Sequence, residues 1–121
     1  MKLTLTALTV AAAMFASSAS AYEPTDLQKL LKTGRCVGCN LRGANLGQTN
    51  LAAFDLSGAD LYEANLQGGW LMETVLRGAK LQRADLSGAN LSGADLSYAI
   101  MKGAILCNTT MPDGSVIYSG C

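Results

Sequence analysis

Residues 84–96 read "ADLSGANLSGADL", and within them leucine returns at every fifth position, as Leu86, Leu91 and Leu96. Alanine stands two places before each leucine, Asp or Asn lies between, and Ser-Gly separates one triplet from the next. Five is a poor period for an α-helix, which at roughly 100° per residue would set successive leucines about 140° apart and leave no apolar stripe. A flat strand also fails, because its side chains alternate and an odd spacing sends successive leucines to opposite faces. A chain that turns a corner every five residues aims all of them at one axis. Asn, Asp, Ser and Gly suit the corners, having either a side chain that bonds nearby backbone or no Cβ at all.

Working outward, the same spacing holds at Leu41, 46, 51, 56, 61, 66, 71, 76, 81, 86, 91 and 96 and continues through Met101 and Leu106. The position two before is usually small, as at Ala44, Ala59, Ala64, Ala79, Ala84, Ala89, Ala94, Ala99 and Ala104. A repeat this regular has to be interpreted before any local propensity. The A-(D/N)-L-x-x pattern resembles the pentapeptide repeat proteins, over residues 39–108. That resemblance implies an all-β chain folded as a right-handed, quadrilateral parallel β-helix, with leucine and the small residue pointing inward. Four pentapeptides make one coil, so the repeats amount to about 3.5 coils, a rod roughly 17 Å long at strand spacing. The open ends of such a stack need caps.

The expected organisation is a cleaved signal peptide (1–21), an N-terminal cap (22–38), the β-helix (39–108) and a C-terminal capping loop (109–121). Met1-Lys2, the apolar stretch Leu3 to Phe15 and the small residues Ala19-Ser20-Ala21 have the layout of a secretory signal. Thr4, Thr6 and Thr9 interrupt the apolar stretch, which falls short of the roughly 18 residues of a spanning helix. Export to a periplasm, to the extracellular space or, in a cyanobacterium, to a thylakoid lumen follows as an expectation. In the cap, Thr25 and Gln28 have capping-box spacing, and Leu27, Leu30 and Leu31 share one helical side. A short helix over 25–33, ended by Gly34, would lay these leucines on the first coil. Phe54, the large residue of the small column, would fill the floor beneath it.

The chain has four cysteines and no histidine, which excludes Ser-His-Asp triads, Cys-His dyads and His-containing zinc sites. A four-cysteine zinc site would need Cys36 and Cys39 beside Cys107 and Cys121, at opposite ends of the rod. Cys107 and Cys121 flank the turn Pro112-Asp113-Gly114, so a disulfide there closes a terminal loop, at roughly 3 kcal/mol by loop entropy. Cys36-x-x-Cys39 has two readings: a clasp between cap and first coil, or a redox pair as in oxidoreductases. The second usually needs a helix start to stabilise the thiolate, and no strand-then-helix pattern surrounds this pair.

Nine basic and nine acidic residues balance, and loss of Lys2 with the signal leaves −1. A nucleic-acid binder would carry a basic stripe, and a DNA mimic of the gyrase-protecting type a dense acidic surface. Asp55, Asp60, Asp85 and Asp95 sit where turn geometry accounts for them, so no catalytic residue, cofactor or metal is expected. With twenty residues per coil, positions twenty apart stack in columns. Trp70 and Val75 replace the usual Asn or Asp before leucine, with Met72 beside Trp70 on the same face, and exposed apolar clusters mark contact sites more often than isolated residues do. Arg42, Tyr62, Gln82 and Lys102 form another column, beside a Glu63–Arg83 rung-to-rung ion pair, on a face open to a carbohydrate or an anion. The expected function is a non-enzymatic exported structural or protein-interaction module, with partner binding or self-association through the Trp70 face. An exported thiol-disulfide protein is the first alternative and a gyrase protector the second.

Overall fold

A computed structural model describes residues 21–121; the expected signal peptide, Ala21 apart, lies outside the described residues. The chain opens with helix α1 (Pro24–Thr33), winds into a right-handed quadrilateral β-helix, and ends in an antiparallel hairpin of β1 (Leu106–Thr110) and β2 (Val116–Ser119). Parallel bridges join residues twenty apart, from Arg35↔Asp55 and Asn40↔Asp60 up to Asp85↔Ile105 and Asn90↔Thr110. Every face therefore carries four stacked rungs, half a coil more than the leucine series alone spans. The extra length comes from both ends. Cys36 occupies the leucine column five residues before Leu41, and Met111 continues it five residues after Leu106.

The corners explain the period. From Gly38 to Asn108 every fifth residue has positive φ, including Gln48 (55°), Glu63 (56°), Arg83 (61°) and Tyr98 (60°) among the non-glycines. Most corners close with a bond from the small-column N–H to the preceding leucine carbonyl, as from Ala64 to Leu61 at 2.9 Å. That is the four-residue turn whose third residue favours glycine. Between corners the ladder bonds neighbouring coils, Leu41 N–H donating to the Asp60 carbonyl and Asp60 N–H to that of Cys39, both at 2.8 Å. Side-chain turns reinforce it: Asp55 Oδ1 accepts from Ser57 N–H at 3.0 Å and Ser57 Oγ at 2.6 Å.

Leu41 through Leu91 lie within 1% of full burial and form the core with the inward alanines. Two threonines share it. Thr74 and Thr109 are fully buried in the small column, their hydroxyls donating to the carbonyls of Leu51 (2.8 Å) and Leu86 (2.7 Å) in the coil below. A buried hydroxyl is tolerated because it has a partner.

The caps depart from expectation in detail. Pro24 begins α1 one residue earlier than the capping-box reading, placing Thr25 inside the helix; Glu23 is the N-cap and no side-chain capping bond forms. Proline suits this first position because its missing N–H would be unpaired there in any case. Gly34 ends the helix at φ 71°. Leu30 is fully buried and Leu27 packs against the core, but Leu31 is 52% exposed, because a flat coil end covers only the centre of the leucine stripe. Phe54 fills the floor next to Gly34, where a Cβ would come within 3.2 Å of the ring. Asp26 and Glu23 tie the cap to the coil, Asn40 N–H donating to the Asp26 carboxylate (2.8 Å) and Glu23 N–H to the Asn40 carbonyl (3.0 Å).

At the other end the expected loop is a hairpin, closed by the Cys107–Cys121 disulfide. Its register shifts between Cys107 and Thr109. That irregularity, centred on Asn108 at φ 56°, keeps Thr109 pointing inward while β1 pairs with β2.

Candidate functional site

Trp70 lies between Asn50 and Asn90 on one face, its backbone paired to both, and its side chain is 48% exposed. Val75 is paired to Asp55 and Asp95 on the neighbouring face. Between them Leu71–Thr74 is a corner, with Glu73 at φ 58° and Thr74 N–H bonded to the Leu71 carbonyl. Met72 belongs to that corner, so it does not share the flat face of Trp70. The trio wraps one edge of the rod. Trp70 is exposed, whereas Met72 and Val75 are half-buried.

The Arg42–Tyr62 column is a polar staple between coils. Arg42 sits 4.5 Å from the Tyr62 ring centroid and pairs with Asp60 at 3.1 Å. Arg83 approaches the same ring at 5.9 Å, pairs with Glu63 at 3.1 Å and donates to the Tyr62 hydroxyl at 3.3 Å. The Glu63–Arg83 pair thus joins successive rungs, and its exposure keeps it near 0.2–1 kcal/mol. Tyr62 thus stands between guanidiniums from the coils on either side of it.

None of the four aspartates is gathered with another. Asp60 accepts from Tyr62 N–H (3.1 Å), Asp85 from Ser87 N–H (3.0 Å) and Asp95 from Ser97 N–H (2.9 Å), each within its own turn. The Ser57 hydroxyl, followed by its backbone N–H, holds the Asp55 carboxyl below the usual range; Ser115 does the same for Asp113.

Cys36 and Cys39 are joined in a disulfide, Cα atoms 5.3 Å apart, and are 0% and 4% exposed. They take consecutive inward positions across one corner, the leucine position and the small position that follows it. Cys107 is half-buried and Cys121 exposed. Sequence reasoning missed a further group at the C-terminal end, where Tyr98, Ile100, Val116 and Tyr118 are exposed. A signal was present: Ile100, before Met101, and Ile105, before Leu106, replace Asn or Asp ahead of the leucine column just as Trp70 and Val75 do.

The chain matches the family described as Pentapeptide repeats, in eight copies, over residues 39–78 and 74–111. It belongs to the pentapeptide repeat family. Proteins built from these repeats are generally structural or interaction modules. This pentapeptide repeat protein is similar to the crystal structure of HetL, a pentapeptide repeat protein involved in heterocyst differentiation regulation from the cyanobacterium Nostoc, at 39% identity over 62% of this chain and 39% of that one, TM-score 0.43. A second pentapeptide repeat protein from Nostoc matches at 34% identity over 70% of this chain and 75% of that chain, TM-score 0.44. One from the thylakoid lumen of Arabidopsis thaliana matches at 28% identity over 74% and 62%, TM-score 0.36. No curated protein matches the chain. Among the described residues no helix is long and apolar enough to cross a membrane.

Proposed function

We propose that this pentapeptide repeat protein is a non-enzymatic, exported interaction module that binds a protein partner along the rod edge carrying Trp70, Met72 and Val75. The observation that carries the reading is Trp70, half exposed on a backbone bonded to coils above and below. A ladder-held tryptophan loses little conformational freedom on binding, and tryptophan is enriched among residues that dominate interface energies. The aspartates supply no paired carboxylates for acid–base work, since each serves its own turn. Two disulfides and the signal-like N-terminus support an oxidising compartment. Burial of Cys36 and Cys39 supports a clasp, because thiol exchange needs access to a sulfur.

The test compares Trp70→Ala with Val37→Ala, a change at another exposed apolar residue, in cross-linking and co-purification from the native compartment. A partner held by the wild type and by Val37→Ala but lost from Trp70→Ala is the expected result. Equal capture by all three sinks the proposal.

A further inference from the structure

Charge is unevenly shared around the rod. Parallel bridges stack 45–54, 65–74, 85–94 and 105–114 on one another, so these stretches make one side of every coil. They hold Glu73, Asp85 and Asp113 and no Lys or Arg. The cations of the coils, Arg35, Arg42, Arg77, Lys80, Arg83 and Lys102, all belong to the other side.

The Trp70 edge runs along the cation-free side. Trp70 and Met72 belong to it, and Val75 is the first residue beyond. Glu73 stands exposed on the corner between Met72 and Val75. Its Cγ lies 3.2 Å from where a Cβ on Gly93 would be, so the side chain runs up the corner towards the next coil, along a path that the glycine leaves free. It has no ion-pair partner among the described residues. Asp113 continues the same corner column, just past Pro112, whose carbonyl accepts from Gly93 N–H at 2.9 Å. On the next face Asp55 and Asp95 pair with the Val75 backbone from below and above. The Ser57 and Ser97 bonds hold both carboxyls below the usual range, so both are charged at neutral pH. Arg35 and Arg77 offset these two in part, and the Arg77 guanidinium is turned to the Tyr98 ring, 4.7 Å from its centroid. Glu73 and Asp113 keep their charge without an ion pair.

Resting on the reading of this edge as a protein-binding surface, we propose that its partner presents a basic segment. One Lys or Arg lies on the Trp70 indole, a second meets Glu73, and an apolar residue between them packs against Met72 and Val75. Tryptophan is the aromatic ring that draws a cation most strongly, and complementary charge steers a partner and fixes its register. An acidic or phosphate-bearing partner finds no Lys or Arg on this side to receive it.

Trp70 is the single tryptophan of the chain, so its emission reports on the edge directly. The protein, with both disulfides closed, is titrated with short peptides that alternate Lys and Leu, Gln and Leu, or Glu and Leu, up to about 1 mM. The Lys peptide should shift Trp70 emission saturably, and the other two should bind at least about tenfold more weakly. Glu73→Lys should weaken binding of the Lys peptide by about tenfold or more, with an unchanged circular dichroism spectrum. Glu23→Lys makes the same change of net charge on the N-terminal cap and should stay within about twofold, because charge is screened over that distance. No shift with the Lys peptide, equal binding of the three peptides, or equal affinity in the two variants would each overturn the proposal. In co-purification, a partner lost from Trp70→Ala but held undiminished by Glu73→Lys keeps the edge as a protein surface and overturns its basic occupant. A partner held equally by Trp70→Ala overturns the protein-binding reading itself.

Discussion

Gly78 has φ 69°, and no atom lies within 4 Å of where its Cβ would be. It isolates the cost of a corner from the cost of crowding. An alanine there meets only the left-handed penalty of about 1–2 kcal/mol, offset in part by a stiffer unfolded chain. Gly78→Ala should therefore lower unfolding stability by about 1 kcal/mol in urea, with an unchanged spectrum. At Asp55 the carboxyl is held below its ordinary value of 3.8 by the Ser57 hydroxyl, then by the Ser57 N–H. The folded form thus releases its proton more readily than the unfolded chain does. Its stabilising contribution is complete above the ordinary value and disappears as pH falls through the depressed one. Ser57→Ala should accordingly be less stable than wild type at pH 7, and the two urea midpoints should converge in strong acid.

Helix α1 shows where a sequence pattern stops short. Leu27, Leu30 and Leu31 read as one apolar side, yet Leu30 is fully buried while Leu31 is half exposed. A helix laid on a flat coil end touches it along a line, and only the residue at the centre of the stripe is sealed. Leu30→Ala should cost about 2–5 kcal/mol as a core truncation. Leu31→Ala should stay within about 0.5 kcal/mol as a surface change; paired thermal melts check both. The hairpin makes the same point. Pro112-Asp113-Gly114 signalled a turn, and Met111 N–H does bond the Ser115 carbonyl at 2.7 Å. That Val116–Ser119 would pair with β1 was not legible locally, because the pairing depends on an edge that exists only after the last coil has closed.

Across the whole molecule the two disulfides occupy different environments. Cys36 and Cys39 are sealed beneath the cap, whereas Cys121 is exposed at the far end. Graded dithiol treatment followed by alkylation and intact mass should open Cys107–Cys121 first and leave Cys36–Cys39 closed until unfolding. The reverse order would point to a redox role for the N-terminal pair. The period of five, the glycine-rich corners and the inward leucines and alanines determined the β-helix by themselves, because each corner is a local turn and each leucine needs only the common axis. The Glu63–Arg83 pair and the stacking of Trp70 between Asn50 and Asn90 followed from the same twenty-residue arithmetic. Only the tertiary structure decided the ends: that Cys36 extends the leucine column, that Leu31 is left out, and that β2 covers half of the last coil. A repeat's interior is dictated by neighbours of its own kind, but an end meets a unique surface whose shape no periodicity encodes.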